Sequence, residues 1–463
     1  MNPSMQLFAP DDPRPVHFMG IAGAGMSALA LVARRRGVAV TGCDTDPGGA
    51  ADVAAAGARV LDGHDPQHVA GVRAVVYTAA IPPEHAELEA ARAAGVPVVR
   101  RAEALATAVH GGTVVAVAGT HGKTTTTVMA TEALAAAGRR PTGIAGGRVA
   151  TWGGNARLDG ESVFVVEADE YDRSFLALTP TVALVNNVEA DHLECYGSLD
   201  GLEAAFVEFA ERAQRVLVGA DDPGARRVAR RLSAPTWTVG FARDADLRIG
   251  HVHQDVNGTR ARVELPGGRG IELALQVPGV HNLRNAAMAL GAVLAVGADV
   301  AAGARALSTF TGVGRRFERV GTARGVLVID DYAHHPSEIA ATLAAARQRF
   351  PEARLVAVFQ PHLYSRTQLL GAELGQALAA ADQVVVTEIY AAREAPLAGV
   401  TGRVVANAAQ QAGAAVEWVP DRAALTETLA RRVREGDVVL TLGAGDITRV
   451  GRELLERLAG AAA

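Results

Sequence analysis

The chain reads as an α/β protein of three domains, on three observations. β-Branched apolar runs alternate with Ala-rich helical patterns, glycine turns follow two of those runs, and polar clusters sit at the carboxyl ends of several more. Its 463 residues suit about three domains of ordinary size. Net charge is −5 and aromatics are 4%, so there is neither a basic groove nor a set of stacking platforms, and nucleic acid is not an expected partner. Cys43 and Cys195 are the only cysteines, and no apolar run of signal-peptide or membrane-spanning length precedes the first strand. A reduced, cytoplasmic setting without membrane contact follows as the expectation.

Residues 1–14 are polar and Pro-containing, and read as a mobile lead-in. Val16–Met19 is the first strand, and Gly20-Ile21-Ala22-Gly23-Ala24-Gly25-Met26-Ser27-Ala28 turns from it into a helix. Gly23-x-Gly25-x-x-Ala28, with Asp44 ending the next strand, matches the fingerprint that sets a diphosphate on a helix N-terminus. That motif suits NAD and a UDP-sugar equally. Ala74-Val75-Val76-Tyr77 is a further strand with Thr78 at its carboxyl end, where ligands bind in such sheets. Val96-Pro97-Val98-Val99 closes a Rossmann-like first domain, residues 1–107.

The second domain, residues 108–319, opens on the stretch that organises the chain. Val114-Val115-Ala116-Val117-Ala118 feeds Gly119-Thr120-His121-Gly122-Lys123-Thr124-Thr125, and a helix follows. Glycines let backbone N–H groups converge on an anion, Lys123 can reach β/γ-phosphates, and the Thr124 hydroxyl is placed for Mg²⁺. The loop is shorter than the usual P-loop, since Val117 stands where that pattern has glycine. Lys123 is the only lysine; every other residue among the 45 Lys and Arg is arginine. A compact ammonium approaches phosphate more closely than a planar guanidinium. Glu167-Ala168-Asp169-Glu170 and Asn186-Asn187, leading to Asp191-His192, end later strands and could supply Mg²⁺ ligands, with Glu167 and His192 as candidates. His192-x-x-Cys195 has zinc-like spacing but no neighbouring pair to complete four ligands. Residues 216–280 carry turn signals such as Asn257-Gly258 and read as antiparallel additions to a P-loop-type mononucleotide-binding domain. Asn282 starts a long helix, as a cap or a nucleobase contact. Arg315-Arg316 is a loop pair, either a phosphate clamp or solvated.

The third domain, residues 320–463, is again Rossmann-like. Val326–Ile329 runs into Asp330-Asp331-Tyr332-Ala333-His334-His335-Pro336, and Leu355–Phe359 into Gln360-Pro361-His362-Leu363-Tyr364-Ser365-Arg366. Val384–Val386 and Val438–Leu442 also end in polar residues, which marks one rim of a parallel sheet as a site.

These segments together resemble the ATP-dependent Mur ligases of peptidoglycan synthesis. The resemblance rests on Gly119–Thr125, Glu167–Glu170, Asn187–Gly197, His281–Asn285 and Arg315–Glu318, and Gly20–Ser27, Asp331–Pro336 and Gln360–Thr367 look like its alanine-adding branch. It implies that ATP phosphorylates the carboxylate of UDP-N-acetylmuramic acid and that the L-alanine amine attacks the acyl phosphate. It further implies that Gly119, Thr120, Gly122, Lys123, Thr124, Thr125, Asn282, Arg316 and Asp331 bind ATP, with Asn282 on adenine, Asp331 on ribose and Arg316 on phosphate. Thr124, Glu167 and His192 would hold Mg²⁺. Gly23, Ala24, Gly25, Met26, Ser27, Asp44 and Thr78 would bind the UDP-sugar, and Tyr332, His334, His362 and Arg366 would orient alanine. Lys123, His192, Arg316 and His334 are the residues on which the reaction would most depend. Later-acting family members use a carbamylated lysine, which this chain cannot supply beside Lys123. Leu363 stands where the family pattern commonly has arginine, which leaves Arg366 as the expected carboxylate grip. The rival within the family attaches a recycled murein tripeptide; an NAD-dependent oxidoreductase would leave everything after residue 107 unexplained. A monomer or a homodimer is expected.

Overall fold

The computed structural model describes residues 7–392 and 394–460. Three sheets are present, and the chain divides into two compact units: Met1–Gly250, Arg262–Leu273 and Arg284–Ser308 in one, His251–Ala261, Ala274–Leu283 and Thr309–Ala463 in the other.

The first sheet is parallel, β1 (Val16–Met19), β2 (Val40–Asp44), β3 (Arg59–Asp62), β4 (Ala74–Tyr77) and β5 (Val98–Arg100), in the order β3-β2-β1-β4-β5. Chain order reverses between β1 and its neighbours, so the turn after β1 opens at a switch point, the position where such sheets bind ligands. Alternation along β1 sends Val16 and Phe18 into a core shared with helix Ala24–Arg35, and Met19 into a smaller core on the opposite face. Of the lead-in, residues 1–6 lie outside the described residues. The rest corrects the expectation of a mobile segment: Leu7 and Phe8 are buried in the larger core, and Arg73 Nη1 donates to the Ala9 carbonyl at 2.7 Å.

The second sheet has ten strands. They are β6 (Thr113–Ala118), β7 (Pro141–Val149), β8 (Gly154–Leu158), β9 (Val163–Glu167), β10 (Val182–Val185), β11 (Arg215–Gly219), β12 (Thr236–Gly240), β13 (Leu247–Asp255), β14 (Gly258–Glu264) and β15 (Gly270–Leu275). Their order is β15-β14-β13-β12-β11-β10-β6-β9-β7-β8. β6 is central and fully apolar from Val114 to Ala118, as a strand covered on both faces must be. The antiparallel addition expected from residue 216 begins later, because β10, β11, β12 and β13 still pair in parallel. Only the two-residue connection from β13 to β14 forces a hairpin. Asn155 on β8 joins the first two sheets: its Nδ2 donates to Ser27 Oγ at 3.0 Å and to the Ala24 carbonyl at 3.3 Å.

The third sheet comprises β16 (Glu318–Ala323), β17 (Val326–Asp331), β18 (Leu355–Phe359), β19 (Gln383–Val386), β20 (Val416–Trp418) and β21 (Val438–Leu442), in the order β16-β17-β21-β18-β19-β20. All pairs are parallel except β16 with β17. The polar ends of β17, β18 and β21 therefore share one rim. Among the described residues no helix is long and apolar enough to cross a membrane.

Candidate active site

β6 delivers the glycine loop to the start of helix Lys123–Ala136, and the turn is possible only with glycine at two points. Gly119 has φ 137° and Gly122 φ 77°. A Cβ on Gly119 would stand 3.0 Å from Asn186 Cβ, and one on Gly122 would stand 2.5 Å from Asn285 Oδ1. Asparagines pin the loop: His121 N donates to Asn187 Oδ1 at 2.7 Å, Asn187 Nδ2 to the His121 carbonyl at 3.2 Å, and Asn186 Nδ2 to Thr126 Oγ1 at 3.1 Å. Thr120 is held in turn, since its Oγ1 accepts from Glu189 N at 2.9 Å. With the loop fixed, the first-turn amides of Lys123, Thr124 and Thr125 point along the helix axis, free of intrahelical partners by helix geometry.

Lys123 is held inside this cradle. Its Nζ donates to the Gly119 carbonyl at 2.8 Å and to both Glu170 oxygens at 2.8 and 2.7 Å. Burial works against the charge, but Glu170 and Asp169 outweigh it and keep the ammonium more basic than usual. Burial likewise pushes the Glu170 carboxyl up, against the pull of Lys123. Glu170 is a functional candidate that sequence reasoning passed over. It stands in the quoted carboxylate run, but only tertiary contact distinguishes it from Glu167.

Glu167 ends β9, and the nearby Thr124 hydroxyl is one of the groups that favour its ionised form. Its Oε1 also accepts from Gly146 N, and a Cβ on Gly146 would come within 2.8 Å of Oε2. Burial raises the Glu167 pKa, with the Gly146 amide, Lys123 and the Thr124 hydroxyl pulling the other way. A half-buried carboxylate near a hydroxyl is an oxygen donor set that fits a hard divalent cation. His192 has φ 54°, its ring edge-on to Tyr171 at 5.1 Å, Nδ1 3.6 Å from Glu194 and Nε2 3.7 Å from Asp191, and its charge acts on the Glu170 carboxyl.

In the first sheet the glycine turn is braced by Asp44, which accepts Ala22 N at 3.0 Å and Asp46 N at 3.1 Å. Thr78 lies against the turn, with Cγ2 3.1 Å from where Gly20 would carry a Cβ. Two of the candidates turn their side chains inward. The Met26 and Ser27 side chains are buried, their amides bond to the Gly23 carbonyl, and Ser27 Oγ is taken by Ala24 and Asn155. They shape the helix start instead of presenting groups to a ligand, and the amides of Ala24 and Gly25 are the ones at its mouth. Arg101 was not anticipated. Its Nη1 would lie 2.9 Å from a Cβ on Gly25, and its Nη2 is 3.7 Å from Asp169 Oδ2, so one guanidinium spans the sugar turn and the carboxylate run.

The other unit gathers Tyr332, His334, His362 and Arg366 as expected. The Tyr332 and His334 rings are 5.3 Å apart, His334 and His362 6.0 Å, and His362 stacks on Tyr390 at 5.9 Å. His334 Nδ1 meets the Tyr332 carbonyl at 2.9 Å, while His334 N donates to Glu338 Oε2 at 3.0 Å. Arg315 and Arg316 both lie over the Tyr332 ring, at 4.7 and 5.1 Å, and Arg316 Nη1 is 3.3 Å from Glu338 Oε1. Arg366 is 6% exposed and its Nη1 lies 3.1 Å from His362 Nδ1, so at least part of its guanidinium is engaged with His362. Leu363 is also buried, with φ 71°, at the start of helix Tyr364–Leu378. Asp331 is likewise engaged within its own loop. Its carboxylate accepts Phe317 N at 2.7 Å and Ala333 N at 2.8 Å, and burial, opposed by Arg316 and those amides, pushes its pKa up to about 6. Asn282 Nδ2 donates to the Pro278 carbonyl at 2.7 Å, which ties the first turn of helix Val280–Ala295 to the segment before it.

Three family models match the chain in sequence. They are the Mur ligase family catalytic domain over residues 15–112, the Mur ligase middle domain over 117–293, and the Mur ligase glutamate ligase domain over 315–445. A curated UDP-N-acetylmuramate:L-alanine ligase of Kineococcus radiotolerans is 46% identical over 454 residues, 96% of each chain, and one of Cutibacterium acnes is 44% identical over 471 residues, 99% of each. The crystal structure of a UDP-N-acetylmuramate-alanine ligase from Thermotoga maritima matches with a TM-score of 0.82 at 31% identity, over 96% of this chain and 99% of that one. A murein peptide ligase from Psychrobacter arcticus matches over the same shares, with a TM-score of 0.75 at 25% identity. The chain belongs to the Mur ligase family.

Proposed function

We propose that this protein is an ATP-dependent ligase that joins L-alanine to the carboxylate of UDP-N-acetylmuramic acid through an acyl phosphate, in peptidoglycan precursor synthesis in the cytoplasm. The observation that carries the reading is the cradle of Gly119, Gly122 and Lys123 beside Glu167 and Thr124, in a chain 46% identical to a UDP-N-acetylmuramate:L-alanine ligase over 96% of its length. The murein tripeptide alternative is less well supported, since its structural relative matches at the lower TM-score of 0.75.

A carboxylate does not acylate an amine until one of its oxygens can leave, and transfer of the γ-phosphoryl group makes that oxygen a phosphate. Lys123 and the helix-start amides would receive charge as it moves between phosphate oxygens, and Arg316 would add to them from its loop. Mg²⁺, held by Thr124 and Glu167 and at a second position by His192, would supply charge neutralisation at the phosphates. The amides of Ala24 and Gly25, with Arg101, suit the diphosphate of the UDP-sugar. His362, oriented by Arg366, with Tyr332 and His334, would hold alanine with its amine neutral for attack. Two substitutions probe these assignments. Arg101→Ala should raise KM for the UDP-sugar about tenfold, the scale of one charge-assisted contact; an unchanged KM removes Arg101 from the site. Arg366→Lys should raise KM for alanine while the melting temperature holds, because a lysine keeps the charge but loses the fork that aligns His362; an unchanged KM would make Arg366 purely structural. Phosphate release from ATP tests the whole reading. It should require both the UDP-sugar and an amino acid, L-alanine best, whereas preference for a tripeptide would move the chain to the recycling ligases.

A further inference from the structure

On the face of the first sheet away from helix Ala24–Arg35, five chemically unusual side chains converge. His17 points there from β1 and Cys43 from β2, which period-two alternation puts on the same side as Met19. Glu87 comes from the first turn of helix Ala86–Ala93, while His64 and His68 come from the segment after β3. His17, Cys43 and Glu87 have no exposed side-chain surface, and His64 and His68 are 19% and 16% exposed. The distances are those of one shared centre. His17 Nε2 is 2.9 Å from Glu87 Oε1 and 3.3 Å from Cys43 Sγ, and His64 Nδ1 is 3.1 Å from Cys43 Sγ and 3.3 Å from Glu87 Oε2. His68 Nδ1 is 3.3 Å from Glu87 Oε1, and the donor atoms of His17, Cys43, His68 and Glu87 all lie within 4.8 Å of one another.

We propose that this cluster is a binding site for a thiophilic, tetrahedral divalent cation, Zn²⁺ by its donor set, held by His17 Nε2, Cys43 Sγ, His68 Nδ1 and a Glu87 oxygen, with His64 beside them. Zn–N bonds of about 2.0–2.1 Å and Zn–S bonds of about 2.3 Å place tetrahedral ligand atoms roughly 3.3–3.8 Å apart, so the His17–Glu87 pair at 2.9 Å would have to open slightly and every other pair starts within 4.8 Å. Two further observations point to a cation. His68 Nδ1 is buried without a hydrogen-bond partner among the described residues. His17 Nδ1 lies 2.9 Å from Thr41 Oγ1, the outer hydrogen bond that fixes the tautomer of a metal-bound imidazole. A divalent ion with one thiolate and one carboxylate is also neutral overall, as full burial demands.

Its effect would be felt at the sugar turn. The Cys43 carbonyl accepts Gly20 N at 2.8 Å and Ile21 N at 3.1 Å, and Asp44 beside it accepts Ala22 N. A cation joining β1, β2, the His64–His68 segment and helix Ala86–Ala93 would therefore stiffen the support of that turn.

Cobalt(II) titration of the chelator-stripped full-length protein, with Mg²⁺ in excess, tests this. One cobalt per chain should give intense tetrahedral visible bands and a near-ultraviolet thiolate-to-metal band. Because Cys43 and Cys195 are the only cysteines, the ultraviolet band should vanish in Cys43→Ser and persist in Cys195→Ser. His68→Ala should weaken binding at least about tenfold, and Zn²⁺ should displace cobalt and raise the melting temperature. Absence of the band in the native chain, its loss with Cys195→Ser, or undiminished affinity in His68→Ala would each overturn the proposal and leave a proton-bridged, hydrogen-bonded core. Should Cys43→Ser fail to fold, the other two variants still decide.

Discussion

Lys123→Arg should lower kcat/KM about 10²–10³-fold, the scale of losing one oriented charge at a developing oxyanion, while circular dichroism and melting temperature stay close to the native values. Charge is conserved, so the effect isolates shape. Nζ fits a pocket formed by the Gly119 carbonyl at 2.8 Å and the two Glu170 oxygens at 2.7 and 2.8 Å. A guanidinium is broader and planar, and the loop cannot widen for it, because Gly119 and Gly122 already lie hard against Asn186 and Asn285. Phosphate must compete with Glu170 for this ammonium, so ATP should also alter its reactivity. The single lysine makes that measurable: an amine-directed reagent should modify one internal peptide, and ATP should slow that modification. Near-normal turnover in Lys123→Arg, or labelling indifferent to ATP, would remove Lys123 from the phosphate site.

Glu167→Gln should cost about 10²-fold in kcat at limiting Mg²⁺ and recover in part as Mg²⁺ is raised, because the amide keeps the size of the side chain but loses the charge that holds the ion. Stability should hold or rise slightly, since burial already raises the Glu167 pKa and the substitution removes a charge that is costly to desolvate. The Gly146 amide can keep its acceptor in the single glutamine oxygen. Identical Mg²⁺ titrations of the native and variant enzymes would return Glu167 to a structural role.

Much of this arrangement was legible in the chain because local chemistry wrote it there. The turn after β6 needs glycine at 119 and 122 for backbone reasons that no neighbour can change, and β-branched runs with polar ends announced the rims of the sheets. What could not be read depends on side chains meeting across long separations. Glu170 captures Lys123 from 47 residues away, and Asn285 reaches Thr126 from 159. Spacing alone does not reveal that Arg366 is buried beside His362. Met26 and Ser27 follow the same logic: a fingerprint position does not reveal which way the helix faces. Leu7 and Phe8, in a polar segment, are held by the core of the first sheet. His17, Cys43, His64, His68 and Glu87 share no spacing pattern, so only the fold assembles them.

The chemistry of the acyl phosphate is tested most directly with UDP-N-acetylmuramic acid carrying oxygen-18 in both carboxylate oxygens. If the carboxylate is phosphorylated before alanine attacks, each phosphate released with the amide product must carry one labelled oxygen, and Lys123→Arg should suppress phosphate and amide together. Unlabelled phosphate, or phosphate released in full without L-alanine and the UDP-sugar, would contradict the account.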